Sequence, residues 1–317
     1  MKRHIIPLLL LTTVCGCPDD PNEEPIIDVT ATATDTDDFD PTEGANLPPF
    51  SGDPMTFYIE ESVNFPSANA PVSCLNDDVN QVGDWAEAAL EDHGFVGSYT
   101  LGGAGSPINF IDPTTVGFGN DGNAADSARV TIYAGHGNSG SLQWGSIGAV
   151  PPGTVTSCNL PIANQMRLGT ATGDVSGFAI YATSCTANTF NNNLRNTLGQ
   201  SQIGQQVGWH NSPIISDFLL GSFINQTATS VVDGSVSLPV TNRTAWMGIG
   251  QSRPGVGKNS PVIYTTGASE LETAERHFTA RLALGIGISD DIPEPQDQNA
   301  DNISWVDNGC SSSCIFC

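Results

Sequence analysis

The chain has 317 residues, with 34 acidic side chains against 10 basic ones and a formal net charge of −24. Because so few Lys and Arg side chains are present to neutralise phosphates, this composition argues against a nucleic-acid partner. Behind the first residues, no uninterrupted apolar stretch reaches the roughly 18 residues of a membrane-spanning helix. Any membrane attachment is therefore expected at the N-terminal end.

The first 16 residues have the character of a secretory signal peptide, because Lys2 and Arg3 precede a short apolar run that ends in small residues. The letters VCGC at positions 14–17 resemble the bacterial lipobox, where the signal is cut before a cysteine that is then acylated. This resemblance implies that Cys17 becomes a lipidated N-terminus, held at the bacterial cell envelope on the outer membrane or the periplasmic face. An ordinary cleaved signal is the alternative, and both predict an exported protein.

Composition divides the mature chain into three segments. Residues 17–54 are rich in Asp, Glu, Thr and Pro and predict an acidic, disordered tether. Residues 55–288 have the length of one large α/β domain, with two small domains as the alternative. Residues 289–317 combine an acidic, Pro-containing linker with a Cys-rich C-terminal tail.

The domain is expected to begin with a strand over residues 57–60. A helix follows over 78–93, where apolar residues recur at helical spacing, and Gly94 is expected to end it. The Gly-rich, weakly charged stretch 97–126 predicts a surface loop. Further predicted elements are strands at 206–210 and 262–264 and helices at 217–225 and 270–284.

Two segments share one pattern, an apolar, β-branched and aromatic run that stops at small residues and a reactive side chain. They are VTIYAGHG at 130–137 and FAIYATSC at 178–185. Such runs are typical of parallel strands buried on both faces, joined here by a crossover helix expected at 160–168. Because chemistry in open α/β sheets gathers at the carboxyl ends of strands, His136 and Cys185 are expected at one sheet edge. The predicted fold class is α/β, with a mostly parallel sheet flanked by helices.

The residues at these strand ends have the chemistry of nucleophilic catalysis. A cysteine attacks as a thiolate, and a nearby imidazole such as His136 is its usual activator. Gly137 lets the backbone approach a substrate carbonyl. Its N–H and that of Cys185 would then donate to the oxygen on which negative charge develops.

The two runs resemble the caspase-like cysteine peptidases, the group that holds caspases, legumain, gingipains and clostripain. In that group one hydrophobic block ends in His-Gly and a second ends in the catalytic Cys. The resemblance covers residues 130–185 and implies a three-layer sandwich, with His136 as general base, Gly137 as oxyanion donor and Cys185 as nucleophile. The implied activity is that of a cysteine endopeptidase or a related acyl-transfer hydrolase acting on a peptide or protein. The Gln-Ala-Cys-x-Gly signature of caspases is absent, so aspartate specificity is not implied.

His210 follows a further predicted strand and is a candidate substrate contact, with a purely structural histidine as the alternative. A competing hypothesis covers the whole chain. It describes a non-catalytic surface lipoprotein that uses the same sheet as a binding scaffold, with Cys185 buried or disulfide-bonded.

The other mature cysteines are expected to form disulfides, which is the default in an oxidising exported setting. If Cys185 is a free thiol their number is odd, which leaves one thiol unpaired or bridged to another chain. The C-terminal three supply only half of a zinc-binding pattern, so no metal and no cofactor is predicted. The five cysteines expected to form disulfides are Cys74, Cys158, Cys310, Cys314 and Cys317.

Overall fold

A seven-stranded sheet organises the part of the chain that the computed structural model describes. The described residues are 55–62, 82–101, 106–135, 137–138, 141–144, 159–161, 165–169, 176–182, 201, 203–209, 218–228, 230–232, 235–237, 239–251, 261–267, 269–282 and 303–307. All of them belong to the unit Phe50–Cys317. The predicted signal peptide, Cys17 and the predicted tether lie outside the described residues.

The strands are, in chain order, β1 (Thr56–Glu61), β2 (Val96–Leu101), β3 (Val130–Ala134), β4 (Gly137–Asn138), β5 (Ser141–Gln143), β6 (Asn159–Pro161), β7 (Phe178–Tyr181), β8 (Gln205–Trp209), β9 (Ser230–Val232), β10 (Ser235–Ser237), β11 (Pro261–Thr266) and β12 (Ile303–Asp307). The large sheet has the order β12-β11-β8-β7-β3-β1-β2. From β2 to β8 every neighbouring pair is parallel, whereas β11 runs antiparallel to both β8 and β12. The predicted α/β fold with a mostly parallel sheet is confirmed.

The central strands β3 and β7 are almost continuously apolar because both faces of the sheet are covered. Every residue of β3, β7 and β8 is buried. Their register places β-branched side chains side by side on one face, since each residue pairs with the next across the sheet. The row that results is Ile59, Ile132, Ile180, Val207 and Ile263.

Helices cover the face on which this row lies. They are α1 (Val82–Asp92), α2 (Leu219–Thr227), α3 (Asn242–Gln251) and α4 (Glu270–Thr279). The buried apolar side chains of α1, α2 and α3 share one core with the row. Helix α4 packs through His277 on Thr265, which alternation along β11 places on the same face as Ile263.

The opposite face of the sheet is covered by irregular structure in the described part of the chain. Three 3-10 turns, Pro107–Phe110, Asp121–Asn123 and Ala125–Ser127, lie over it. A three-stranded antiparallel meander, β4-β5-β6, follows β3 almost directly and adds Leu142, Trp144 and Leu160 to the core. The remaining two strands, β9 and β10, form a separate hairpin.

Most of the predicted elements are confirmed. Strands β1, β3, β7, β8 and β11 and helices α1, α2 and α4 lie where the sequence predicted them. Gly94 has a φ of +83°, as expected of a glycine that ends a helix. Helix α4 ends at Thr279, earlier than predicted.

One prediction was wrong and another holds only in part. The stretch 97–126 is not only loop, because it contains most of β2 and the 3-10 turns. Within the crossover helix expected at 160–168, Gln165 is helical, whereas residues 160–161 belong to strand β6 and residues 166–168 are not helical; residues 162–164 lie outside the described residues. Helix α3 and strand β12 were not predicted, and β12 lies in the segment interpreted as linker and tail.

Candidate functional site

The carboxyl ends of five parallel strands meet along one edge of the sheet. Strands β1, β2, β3, β7 and β8 all end there because they run in the same direction. The chain builds the sheet outward from β1, with β2 on one side and β3 on the other. The space beyond the carboxyl ends of β1 and β3 is therefore a topological switch point, where α/β sheets form their ligand crevices.

The candidate residues predicted from the sequence follow these strand ends. His136, Cys185, His210 and Cys17 lie outside the described residues. Gly137 is described and buried, and it pairs with Leu142 as the first residue of β4. All eight cysteines lie outside the described residues, so the expected disulfides stay predictions.

The described residues that precede these candidates are neighbours. The backbone N–H of Ala182 donates to the Tyr133 carbonyl at 2.9 Å, which continues the β3–β7 pairing to the last described residue of that segment. The N–H of Ser62 donates to the Ala134 carbonyl at 2.7 Å, which joins the ends of β1 and β3. In the sequence, His136 comes two residues after Ala134 and Cys185 comes three after Ala182.

A buried carboxylate lies at the end of β1, beside the end of β3. Oε2 of Glu60 accepts hydrogen bonds from the Tyr58 hydroxyl at 2.6 Å and from Asn109 Nδ2 at 2.8 Å. Its Oε1 accepts from the indole N–H of Trp144. We refer to Tyr58, Glu60, Asn109 and Trp144 as the carboxylate cluster. Burial raises the pKa of Glu60 to about 7, although its hydrogen-bond donors favour the charged form.

Tyr133 extends this cluster toward β5. Its ring lies 4.9 Å from that of Trp144, and its hydroxyl donates to the backbone carbonyl of Gln143. Burial and the neighbouring Glu60 raise the pKa of Tyr133 well above its ordinary value, so the hydroxyl keeps its proton. Tyr133 and Trp144 thus attach the end of β5 to the sheet at two points.

The second acidic residue of β1 faces the helices. Oε2 of Glu61 accepts from the backbone N–H of Gly83 at 2.9 Å and from the Tyr99 hydroxyl at 2.7 Å. Gly83 lies in the first turn of α1, where free N–H groups and the helix dipole favour a negative charge. Glu61 therefore joins β1 to α1, on the opposite face from the carboxylate cluster.

A tryptophan holds the end of β7 from the helical face. The indole N–H of Trp209 donates to the Ala182 carbonyl at 2.8 Å. Its ring packs against Trp246 of α3, with 4.8 Å between the centroids, and Trp246 donates to the Gly208 carbonyl at 3.0 Å. We refer to Trp209 and Trp246 as the tryptophan pair. It fixes the backbone three residues before Cys185.

Glu60, Tyr133 and Trp144 were not predicted as site residues from the sequence. The one available signal was an acidic side chain at the end of an apolar strand, next to a predicted ligand edge. Two donors of Glu60, Asn109 and Trp144, lie 49 and 84 residues further along the chain, so the cluster is visible only in the folded protein.

The described part of the chain lacks two further features. No group of three or more His, Cys, Asp and Glu side chains there is arranged to hold a metal ion. No helix in that same part of the chain is long and apolar enough to cross a membrane.

Comparison with known proteins adds no assignment. Neither the models of known protein families nor the curated protein sequences contain a match to this chain.

Proposed function

We propose that the protein is a cysteine peptidase, or a related acyl-transfer hydrolase, with Cys185 as nucleophile and His136 as general base. The observation that carries the proposal is the pairing of β3 with β7 as adjacent parallel strands, each followed within a few residues by one member of this pair. The resemblance of these two runs to the caspase-like peptidases supports the same pair of roles.

Covalent geometry keeps both candidates near the shared edge. An extended chain spans at most about 3.6 Å per residue, so the Cα of His136 lies within about 7 Å of the Cα of Ala134. By the same limit, the Cα of Cys185 lies within about 11 Å of that of Ala182. Neighbouring strands are about 4.8 Å apart, so these limits are compatible with a contact between the two side chains.

The proposed reaction begins when His136 takes the thiol proton and the Cys185 sulfur adds to the substrate carbonyl carbon, forming a C–S bond. The N–H groups of Gly137 and Cys185 stabilise the resulting oxyanion. The intermediate collapses with cleavage of the C–N bond, and His136 gives its proton to the leaving amine. Water, deprotonated by His136, then hydrolyses the thioester and restores the thiol.

The third parallel strand supports a substrate contact at the same edge. Strand β8 pairs parallel to β7 and ends at Trp209, and His210 follows it directly. We assign His210 to binding of the peptide or protein substrate. On the strength of the sequence alone, the proposal also includes export and lipid attachment at Cys17, which would hold the enzyme outside a bacterial membrane.

The test compares wild type with Cys185→Ala and His136→Ala in two assays under reducing conditions. The first follows cleavage of a peptide mixture with varied P1 residues, by mass spectrometry. The second follows alkylation of Cys185 by iodoacetamide as a function of pH. We expect both variants to lose cleavage by at least about a hundredfold. We also expect His136→Ala to move the alkylation midpoint up toward the about 8.5 of a free thiol.

Two matched variants control for the loss of a cysteine or a histidine elsewhere. Cys158→Ala removes a thiol outside the two strand-end runs. His93→Ala removes a histidine at the end of α1, where its Nε2 lies 3.0 Å from Oδ1 of Asn225. Both are expected to behave as wild type. Equal cleavage by wild type and Cys185→Ala, with Cys185 resistant to iodoacetamide, would instead favour the non-catalytic binding scaffold.

A further inference from the structure

The carboxylate cluster connects three separate parts of the chain through one side chain. Tyr58 belongs to β1, Asn109 to the first 3-10 turn and Trp144 directly follows β5. All three donate to Glu60, which is fully buried. Hydrogen bonds to a charged acceptor are stronger than those between neutral groups, so removing the charge weakens all three attachments together.

The Trp144 attachment fixes the strand that determines where Gly137 lies. Trp144 is joined to Gln143, whose carbonyl also accepts from Tyr133. Leu142, the preceding residue of β5, pairs with Gly137. The meander β4-β5 is therefore held on the sheet by Glu60 and Tyr133, and the position of Gly137 follows from that of β5.

The other neighbour of His136 is fixed by the end of β3. Gly135 is buried and its backbone lies against Tyr133 and Ser62, since an added Cβ would come 2.6 Å from Tyr133 Cζ and 2.9 Å from Ser62 Cβ. Both residues that flank His136 are thus buried, Gly135 against Tyr133 and Ser62 and Gly137 in its pairing with Leu142. The contacts of Tyr133 and β5 therefore fix the backbone of the residues on either side of His136.

We propose that Glu60 is a positioning residue for His136, acting through Trp144 and the β4-β5 meander. This inference rests on the proposed function, because it assigns Glu60 a role in the reactivity of the His136/Cys185 pair. Glu60 does not contact substrate in this scheme. It fixes the position of the backbone on both sides of the general base.

Ionisation of Glu60 gives the proposal a pH signature. The carboxylate accepts all three donors, whereas the protonated acid loses an acceptor position on one oxygen. The other titratable groups that face Glu60 are the hydroxyls of Tyr58 on β1 and Tyr133 on β3, while Asn109 and Trp144 are uncharged. Burial raises the pKa of both tyrosines well above the ordinary value, so neither titrates near neutrality. We therefore expect the hydrogen bonds that Glu60 makes to Asn109 and Trp144 to be stronger above pH 7 than below it, although burial of the charge lowers the stability of the fold as a whole.

The test uses Glu60→Gln, which keeps the shape of the side chain and removes its charge. Hydrogen exchange followed by mass spectrometry reports opening of residues 137–144, and the pH profile of Cys185 alkylation reports the His136/Cys185 pair. We expect exchange in that segment to become about tenfold faster at pH 8, with little change at pH 6. The alkylation midpoint is expected to shift toward that of His136→Ala.

Two further variants keep the test decisive. Trp144→Phe removes only the indole donor, so it should change exchange and alkylation in the same direction by a smaller factor. Glu61→Gln removes the adjacent carboxylate on the opposite face, and it should loosen the start of α1 without affecting residues 137–144.

The outcomes separate this proposal from the proposed function. Unchanged exchange in Glu60→Gln overturns the positioning role, as does faster exchange with a wild-type alkylation profile. If His136→Ala itself leaves the alkylation profile unchanged, the His136/Cys185 pair fails instead. In that case hydrogen exchange of residues 137–144 is the measurement that tests whether Glu60 holds the meander.

Discussion

The ends of β3 and β7 lie side by side but are held by opposite kinds of chemistry. Beside β3, the carboxylate cluster on β1 gathers neutral donors around one buried acidic group, Glu60. At β7, the tryptophan pair uses two indole N–H groups and two backbone carbonyls, none of which ionises between pH 4 and 9. The contacts that hold the end of β7 are therefore insensitive to pH, whereas in our proposal the contacts beside the end of β3 depend on the protonation of Glu60.

The two arrangements also differ in what they contribute to stability. Burial of the tryptophan pair removes a large apolar area from water and satisfies both indole groups, so it stabilises the fold. Burial of Glu60 opposes folding whenever the side chain is charged, because no donor in the cluster carries a positive charge. A buried acid with a raised pKa beside a ligand edge is typical of functional sites, whereas the tryptophan pair is typical of a core.

The largest expected effect is loss of the tryptophan pair. Trp209→Ala removes a fully buried ring and its hydrogen bond to Ala182, and should lower the free energy of unfolding by about 4 kcal/mol. Trp209→Phe keeps most of the packing and should cost about 1.5 kcal/mol. Urea denaturation at pH 7 measures both values.

Trp85 provides the control for a tryptophan that does not hold a strand end. Its side chain is 41% exposed on α1, so Trp85→Ala should cost less than about 1 kcal/mol. If Trp209→Ala and Trp85→Ala cost the same, the tryptophan pair does not hold β7 in the way described, and the contrast with the carboxylate cluster is lost.

Strands at the centre of the sheet could be predicted because residues buried on both faces form apolar runs in the sequence. The runs at 130–137 and 178–185 begin with largely apolar residues, and each became a strand that starts at the first residue of its run and ends at 134 or 181. Strands at the edge of the sheet lack such runs. Strand β2 contains Gly97, which lies so close to β1 that an added Cβ would come 2.8 Å from the Phe57 carbonyl carbon. A glycine required by close packing was thus interpreted as a sign of loop.

The site could be predicted only in part, for a related reason. The order and direction of strands make β3 and β7 neighbours, and a repeated strand-end pattern signals this arrangement in advance. The carboxylate cluster depends on long-range contacts between β1, a 3-10 turn and β5. A Glu that ends a predicted strand has the same local pattern whether it turns to solvent or, like Glu60, to the interior.

The second prediction uses the pH dependence of stability to distinguish the contacts at the end of β3 from those at the end of β7. The carboxyl of Glu60 ionises near 4.5 when unfolded and at about 7 when folded, so between these values the folded state binds more protons. The free energy of unfolding should therefore fall as pH rises through this range, by up to about 3 kcal/mol. The difference between Glu60→Gln and wild type should grow by that amount from pH 4.5 to 7, whereas the difference for Trp209→Phe should stay constant.

His277 is expected to change the free energy of unfolding with pH in the opposite direction to Glu60, in the same experiment. Burial, with a smaller effect of Arg243, lowers its pKa to about 4, and its Nδ1 lies 2.8 Å from Oγ1 of Thr265. The unfolded state binds more protons between pH 4 and 6.5, so His277 makes stability rise with pH there. His277→Gln should remove that rise. If Glu60→Gln and His277→Gln change the pH dependence in the same direction, the assignment of a raised pKa to Glu60 is wrong.

The smallest predicted effect tests whether close packing at β3, and not the charge alone, fixes the backbone next to His136. In Gly135→Ala the new methyl group meets the ring of Tyr133, whose hydroxyl is held by the Gln143 carbonyl and has little freedom to move. Overpacking of this kind should cost about 2 kcal/mol in the free energy of unfolding, with no dependence on pH between 5 and 8. Gly117→Ala is the matched control, because nothing lies within 4 Å of its added Cβ, and its stability should stay within about 0.5 kcal/mol of wild type.

A Gly135→Ala protein as stable as Gly117→Ala would mean that Tyr133 yields easily. The end of β3 would then be held by the Glu60 charge alone, and its contrast with the tightly packed end of β7 would be greater than the structure indicates.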